Sequence, residues 1–191
     1  MRSKLVLAVL VFFSLLPAIA QVKPAANVGG IPLGIGVGLM DYDIDYRNGA
    51  RMLGVSVWGD YSLLRGLGLE IEGTAIDFAA PPHIYDFSQY TIKGGPIYKA
   101  HPILGIHPYA KALFGVTDAN FIVHSVPGYT NDDFVTYSYG GGLEYRAWKN
   151  LFVRADYEYE FEHYYLSFRD LNPNGVTIGA TYYLHAPRGY R

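Results

Sequence analysis

The chain has 191 residues, a formal net charge of −2, no cysteine, and 17% charged residues against 16% aromatic ones, with 18 tyrosines. A soluble domain typically carries about a quarter charged residues, so this chain is short of the polar surface that water demands, and its acidic balance gives no reason to expect nucleic acid as a partner. The lack of cysteine excludes a disulfide framework, thiol catalysis and any cysteine-based metal site.

At the N-terminus, Arg2 and Lys4 precede an apolar run from Leu5 to Leu16, which gives way to Pro17-Ala18-Ile19-Ala20 before Gln21. A basic start, a short apolar run and small residues one and three positions before a break predict a signal peptide over residues 1–20, cleaved after Ala20. The run is shorter than the ~20 apolar residues of a helical membrane span. Residues 21–32 lack periodicity and form an N-terminal lead-in.

From residue 33 the sequence alternates apolar and polar residues with a period of two, in segments of roughly ten residues. The expected strands are Leu33–Asp45, Met52–Leu63, Leu67–Phe78, Tyr90–Ala100, Pro108–Thr117, Phe134–Arg146, Leu151–Phe161 and Val176–Leu184, with residues 185–191 as a C-terminal tail. Leu151–Phe161 is the clearest: Val153, Ala155, Tyr157, Tyr159 and Phe161 share one face, and Arg154, Asp156, Glu158 and Glu160 the other. No second long apolar stretch exists, and in lipid only a closed sheet then satisfies every backbone group. The expected fold is all-β, an eight-stranded antiparallel up-and-down transmembrane β-barrel over residues 33–184. Short connections (64–66, 101–107, 147–150) alternate with longer ones (79–89, 118–133, 162–175), so the long ones gather on one rim, the external side of a bacterial barrel. Arg47-Asn48-Gly49-Ala50, with its Asn-Gly turn signal, is the exception to that sorting.

The last expected strand carries a polar residue, a glycine two later, and bulky residues five and seven later: Thr177, Gly179, Tyr182 and Leu184. With Gly140-Gly141-Gly142-Leu143-Glu144-Tyr145-Arg146 and Val153-Arg154-Ala155-Asp156-Tyr157-Glu158-Tyr159, this stretch resembles the small outer-membrane β-barrels of the OmpA/OmpX type, the outer-membrane β-barrel domain family. The resemblance covers residues from about 33 to 184. It implies residence in the outer membrane of a Gram-negative bacterium, among outer-membrane lipids and lipopolysaccharide. It also implies that the assembly machinery reads Thr177, Gly179, Tyr182 and Leu184. One departure is that His185 to Arg191 follow, where many family members stop at a terminal Phe.

The chemistry of the two strand faces tells inside from outside. Leu67, Leu69, Ile71, Val135, Tyr137, Tyr139, Leu143, Tyr145, Val176, Ile178, Ala180, Tyr182 and Leu184 form a set suited to lipid, with tyrosines able to reach headgroups. The opposite face carries Glu70, Glu72, Lys93, Lys111, Glu144, Arg146, Arg154, Asp156, Glu158 and Glu160 among many glycines. Mixed charges beside glycine suit a narrow lumen crossed by ion pairs, because an eight-stranded interior is just wide enough for side chains to fill. A lipocalin-like soluble binding barrel would reverse the faces but has no use for so much glycine; solubility without detergent distinguishes it.

Three motifs invite other chemistry. Gly34-Ile35-Gly36-Val37-Gly38 has the look of a nucleotide loop, but no helix pattern follows and the spacing is that of alternate strand positions. Asp41, Asp43 and Asp45 stand near the loop end of the first strand, yet Tyr46 sits where a calcium loop needs glycine and no distal glutamate completes the site. A membrane-embedded lipid-modifying hydrolase would need an activated serine and histidine; His124-Ser125, His163 with Ser167, and His83 with Ser88 all fall at predicted loops. His101, His107 and His185 are expected at the opposite, periplasmic rim. The expectation is a monomeric, non-enzymatic barrel with no cofactor or metal and a structural or interaction role, its lumen plugged by ion pairs against all but small-solute leakage.

Overall fold

The computed structural model describes residues 32–45, 51–64, 66–78, 88–120, 131–163 and 171–185. The signal peptide, the lead-in before Pro32, Arg47 to Ala50, most of the three long loops and residues 186–191 lie outside the described residues. Eight strands make up the structure: β1 (Leu33–Asp43), β2 (Arg51–Leu64), β3 (Leu67–Phe78), β4 (Ser88–Lys99), β5 (Ile106–Asn120), β6 (Asn131–Arg146), β7 (Leu151–His163) and β8 (Asn174–Tyr183). Each pairs antiparallel with the next, and β1 pairs with β8, from Gly34 opposite Tyr183 to Asp43 opposite Asn174, so the sheet is a closed barrel. Closure leaves no strand edge to be satisfied in lipid. Among the described residues no helix is long and apolar enough to cross a membrane.

The strands match the periodicity reading, β3 to the residue, and the differences have local causes. β1 stops two residues before the expected Asp45, where the chain turns into the left-handed region at φ 51°. β5 runs three residues past Thr117 and β6 starts three before Phe134, paired down to Asn120 opposite Asn131. In that extension the outward row has turned polar, at Asp118, Asn120 and Asp133, so the apolar outward alternation is no longer there to detect. The short turns β2–β3, β4–β5 and β6–β7 share a rim with the two ends of the barrel, and the first of them uses Gly66 at φ 88°. A Cβ there would meet the Lys99 carbonyl oxygen at 2.2 Å.

Every strand presents one row outward and one inward. Outward stand Ile35, Val37, Leu39, Leu69, Ile71, Tyr157, Ile178 and their neighbours, a continuous apolar wall. Tyr98, Tyr145, Trp148 and Tyr182 ring it near the short turns; Tyr90, Phe114, Tyr137 and Tyr139 ring it toward the loops. This is the aromatic girdle of a barrel bounded by two membrane interfaces. The inward row holds nearly all the buried charge of the molecule.

Candidate functional site

The candidate site is the lumen, lined by the inward row of every strand. Among the described residues, eight buried carboxylates, those of Asp60, Glu70, Glu72, Glu144, Asp156, Glu158, Glu160 and Glu162, face four buried cations, Lys93, Lys99, Lys111 and Arg154. Burial of this kind costs several kcal/mol per ion unless partners and hydrogen bonds surround the charge, so the pairing geometry decides whether the arrangement holds.

At mid-barrel, Arg154 on β7 reaches across to β3 and grips Glu70 with both terminal nitrogens, at 2.6 and 3.0 Å, while its Nε donates to Asp156 at 2.8 Å. Its guanidinium lies between two rings, 4.5 Å from the Trp58 centroid and 4.8 Å from that of Tyr109. Planar, permanently charged arginine fits such a slot where lysine would not. Glycine makes the slot: a Cβ on Gly36 would stand 2.2 Å from the Trp58 ring, and one on Gly179 would stand 2.6 Å from it. The Trp58 indole lies flat over those two residues and donates to Thr181 at 3.0 Å.

Lys111 lies next to this unit, within 2.6 Å of Glu72 and Glu158, 3.2 Å of Glu70 and 3.5 Å of Asp156. Lys93 joins Glu158 and, at 2.6 Å, Glu160. Neutral donors occupy remaining oxygens: Ser56 on Glu72 at 2.7 Å, Tyr109 on Asp156 at 2.6 Å and Tyr42 on Glu160 at 3.0 Å.

Toward the short turns, Lys99 pairs with Asp60 at 2.7 Å and Glu144 at 3.2 Å, and it also donates to the Tyr183 hydroxyl. That hydroxyl is within hydrogen-bond reach of both carboxylates. Phe152 stands edge-on to Tyr183, with His107 6.3 Å from Phe152, and the three rings cap this end. Toward the loops the lumen changes character. Thr91, Thr117 and Thr136 form a hydroxyl chain with spacings of 2.9 and 2.6 Å, Gln89 donates to Glu162 at 2.7 Å, and Met40, Tyr42, Ile44, Met52, Ile76, Ala119, Phe134 and Leu171 pack as one apolar cluster.

Of the residues expected in the lumen, Glu70, Glu72, Lys93, Lys111, Glu144, Arg154, Asp156, Glu158 and Glu160 are all buried there and joined by these contacts. Arg146 departs from the expectation. At the end of β6 its part-exposed guanidinium donates to the main-chain oxygens of Trp148 at 3.2 Å and Lys149 at 2.9 Å, because the chain turns away before the side chain can reach inward. Sequence reasoning missed Asp60, Lys99 and Glu162. Asp60 and Lys99 fall on the inward alternation of β2 and β4, as a strict count by two from Ser56 and from Lys93 would have shown. Glu162 lies one residue beyond the expected end of its strand.

In β8, Thr177 faces the lumen, Gly179 lies under Trp58, and Tyr182 and Leu184 face outward. The three aspartates of the loop rim go to separate partners: Asp41 to Arg51 at 3.0 Å, Asp43 to the Asp45 amide at 3.1 Å, and Asp45 to the Asn172 amide at 3.3 Å. His163 packs outward, edge-on to Tyr137 at 5.3 Å, and Ser88 opens β4; His83, His124, Ser125 and Ser167 lie outside the described residues. His101 and His185 are exposed at the short-turn rim.

Residues 5–183 match the family model for the outer membrane protein beta-barrel domain. The chain belongs to that family. Its structure is similar to Neisserial surface protein A (NspA), with a TM-score of 0.63 and 16% identity over 80% of this chain and 96% of that one. It is also similar to Ail, the attachment invasion locus protein of Yersinia pestis, solved with the heparin analogue sucrose octasulfate (TM-score 0.51, 21% identity, 80% and 97% covered). A third similar structure is OprG from Pseudomonas aeruginosa (TM-score 0.52, 13% identity, 83% and 98% covered). A comparison with curated protein sequences finds no match. At these identities the likeness is one of fold. Family membership indicates the bacterial outer membrane, where the apolar wall meets lipid.

Proposed function

We propose that this protein is a structural or interaction barrel of the outer membrane whose lumen is closed by its own ion pairs, and that it neither conducts steadily nor catalyses a reaction. The observation that carries this reading is the packing of Arg154, Lys111 and Lys93 against carboxylates from β3 and β7, which fills the mid-lumen with side chains from opposite walls. A pore needs a continuous column of water. Here the charges that would line one are consumed by one another, and rings cap the short-turn end.

The work of such a protein then falls to its rims and its wall. The long, Pro-, Asn- and Tyr-containing connections on one rim are the surface offered to partners outside, with lipopolysaccharide as the immediate neighbour. Thr177, Gly179, Tyr182 and Leu184 present the final strand to the assembly machinery, and the leader is removed after Ala20. The barrel acts as a monomer, since closure leaves no edge to pair with another copy.

Planar-bilayer recording of the refolded protein tests the closed lumen. The expected result at neutral pH is silence or rare, small openings, with more frequent openings when Lys111 is replaced by Met. A large, steady conductance from the wild-type monomer would overturn the reading.

A further inference from the structure

Among the described residues the lumen holds twice as many carboxylates as cations, and the surplus is not spread evenly. Seven of the eight buried acids stand within ion-pair distance of Lys93, Lys99, Lys111 or Arg154. Glu162 is the eighth. It is 1% exposed, and its carboxyl is met only by neutral donors, the Gln89 amide at 2.7 Å on one oxygen and the Thr117 hydroxyl beside it. Among the described residues the charged groups acting on it are Glu160, which repels a second negative charge, and Lys93, whose ammonium is already spent on Glu158 and Glu160. The rest of its surroundings are neutral: Gln89 and Thr91 on β4, Thr117 on β5, Thr136 opposite it on β6, and the Tyr42 hydroxyl of β1, bound to Glu160.

An ionised carboxylate without a cation, enclosed among hydroxyls and methyl groups, costs far more than the same group as a neutral acid. The position of Glu162 gives its charge a mechanical consequence. Its main-chain N–H and C=O both bond to Leu171, at 3.0 and 3.3 Å, and Leu171, a described residue of the β7–β8 connection, packs into the apolar cluster at the loop end of the lumen. The acid and the plug share one peptide bridge.

We propose that Glu162 is a proton-binding site of the lumen, occupied at neutral pH, and that its proton latches the Leu171 plug. With the proton bound, the apolar cluster sits over an uncharged layer. When the proton leaves as pH rises, the new charge lies beside Glu160 with no cation among the described residues free to meet it, and it is stabilised only if water enters. Water enters by displacing Leu171. The lumen therefore unlatches from the loop end in alkaline solution, while the ion pairs further down keep their partners.

The latch presupposes the closed lumen proposed above, and two measurements on the full mature barrel in lipid vesicles or planar bilayers separate the two ideas. In infrared spectra at neutral pH, a carboxylic-acid C=O band is expected in the wild type and its loss in Glu162→Gln; absence of any band that this substitution removes would overturn the proton site. By amide hydrogen exchange in vesicles, corrected for its intrinsic pH dependence, exchange at position 171 and in the loop-end cluster around it should rise several-fold in the wild type from neutral to alkaline pH, stay low throughout in Glu162→Gln, and be high at all pH values in Leu171→Ala. An alkaline rise that survives in Glu162→Gln, or none in the wild type, would overturn the latch. Steady wild-type conduction at neutral pH would instead sink the closed lumen and leave the infrared band to decide the proton. A band that gives way to a dependence on sodium or potassium would replace the proton with a metal cation and count against the proposal.

Discussion

At the short-turn end of the lumen one ammonium, two carboxylates and a tyrosine hydroxyl are locked together under a cap of rings, whereas at the long-loop end apolar side chains lie over threonines and an acid without a cation. Both ends exclude water, but by different physics. The first end is held by directional contacts that lose most of their value if one member is removed, because the others are then buried and unpaired. The second is held by packing, which fails gradually as contacts are lost. A barrel built this way is rigid where β1 begins and β8 ends and yielding toward the long-loop rim.

Substitutions can break or sharpen that contrast. The largest effect is expected from Lys99→Ala, which strands Asp60 and Glu144 together and should cost about 3–5 kcal/mol. Urea unfolding in vesicles followed by tryptophan fluorescence measures it, and the loss should change little with salt, since buried charges are poorly screened. Combining Lys99→Met with Asp60→Asn and Glu144→Gln should recover most of that loss; if it does not, the ammonium matters for more than pairing. Next comes Gly36→Ala, whose methyl would collide with the Trp58 ring and shift Arg154; overpacking of this kind costs about 1–3 kcal/mol, and a change in Trp58 emission should accompany it.

At the loop end, Ile76→Val should cost only about 0.5–1.5 kcal/mol, as one methyl group leaves the apolar cluster, and should raise amide hydrogen exchange around that cluster without altering the emission of Trp58. The smallest effect is expected from Arg51→Ala at the loop rim. Its pair with Asp41 is about half exposed, so the loss should stay below about 1 kcal/mol and vanish in high salt. A larger, salt-insensitive loss would show that the loop end also depends on ion pairs and would erase the contrast.

The same contrast explains what could be read from the sequence. Alternation identified all eight strands because, inside the membrane, the outward row must be apolar and the inward row need not be. Toward the loops the outward row turns polar, as at Asp118, Asn120 and Asp133, while the inward row mixes apolar residues with Glu162, so the alternation fades and the ends of β5 and β6 and the position of Glu162 are not legible. The inward face of β7 gave Arg154, Asp156, Glu158 and Glu160 directly. Their partners could not be named, because pairing across a barrel depends on the stagger of the strands, which the pattern of one strand does not contain. Trp58, Tyr109 and Tyr183 lie on the inward count by two from Ser56, from Lys111 and from Thr181, but their identity does not say which charge each ring meets, since that too depends on strand stagger. Arg146 shows the converse, a residue with the right parity placed too near a turn to use it.

The pairing of β1 with β8 reaches to the ends of the ladder, where the Leu184 amide donates to the Leu33 carbonyl oxygen at 2.9 Å. The first strand and the last are thus neighbours like any other pair, and the seam between them differs only in lacking a covalent turn. The order in which strands leave the ribosome is then a matter of history rather than architecture. A circular permutant that begins at β3, with β8 joined to β1 by a short linker at the rim the two ends share and the β2–β3 turn cut, would enclose the same lumen.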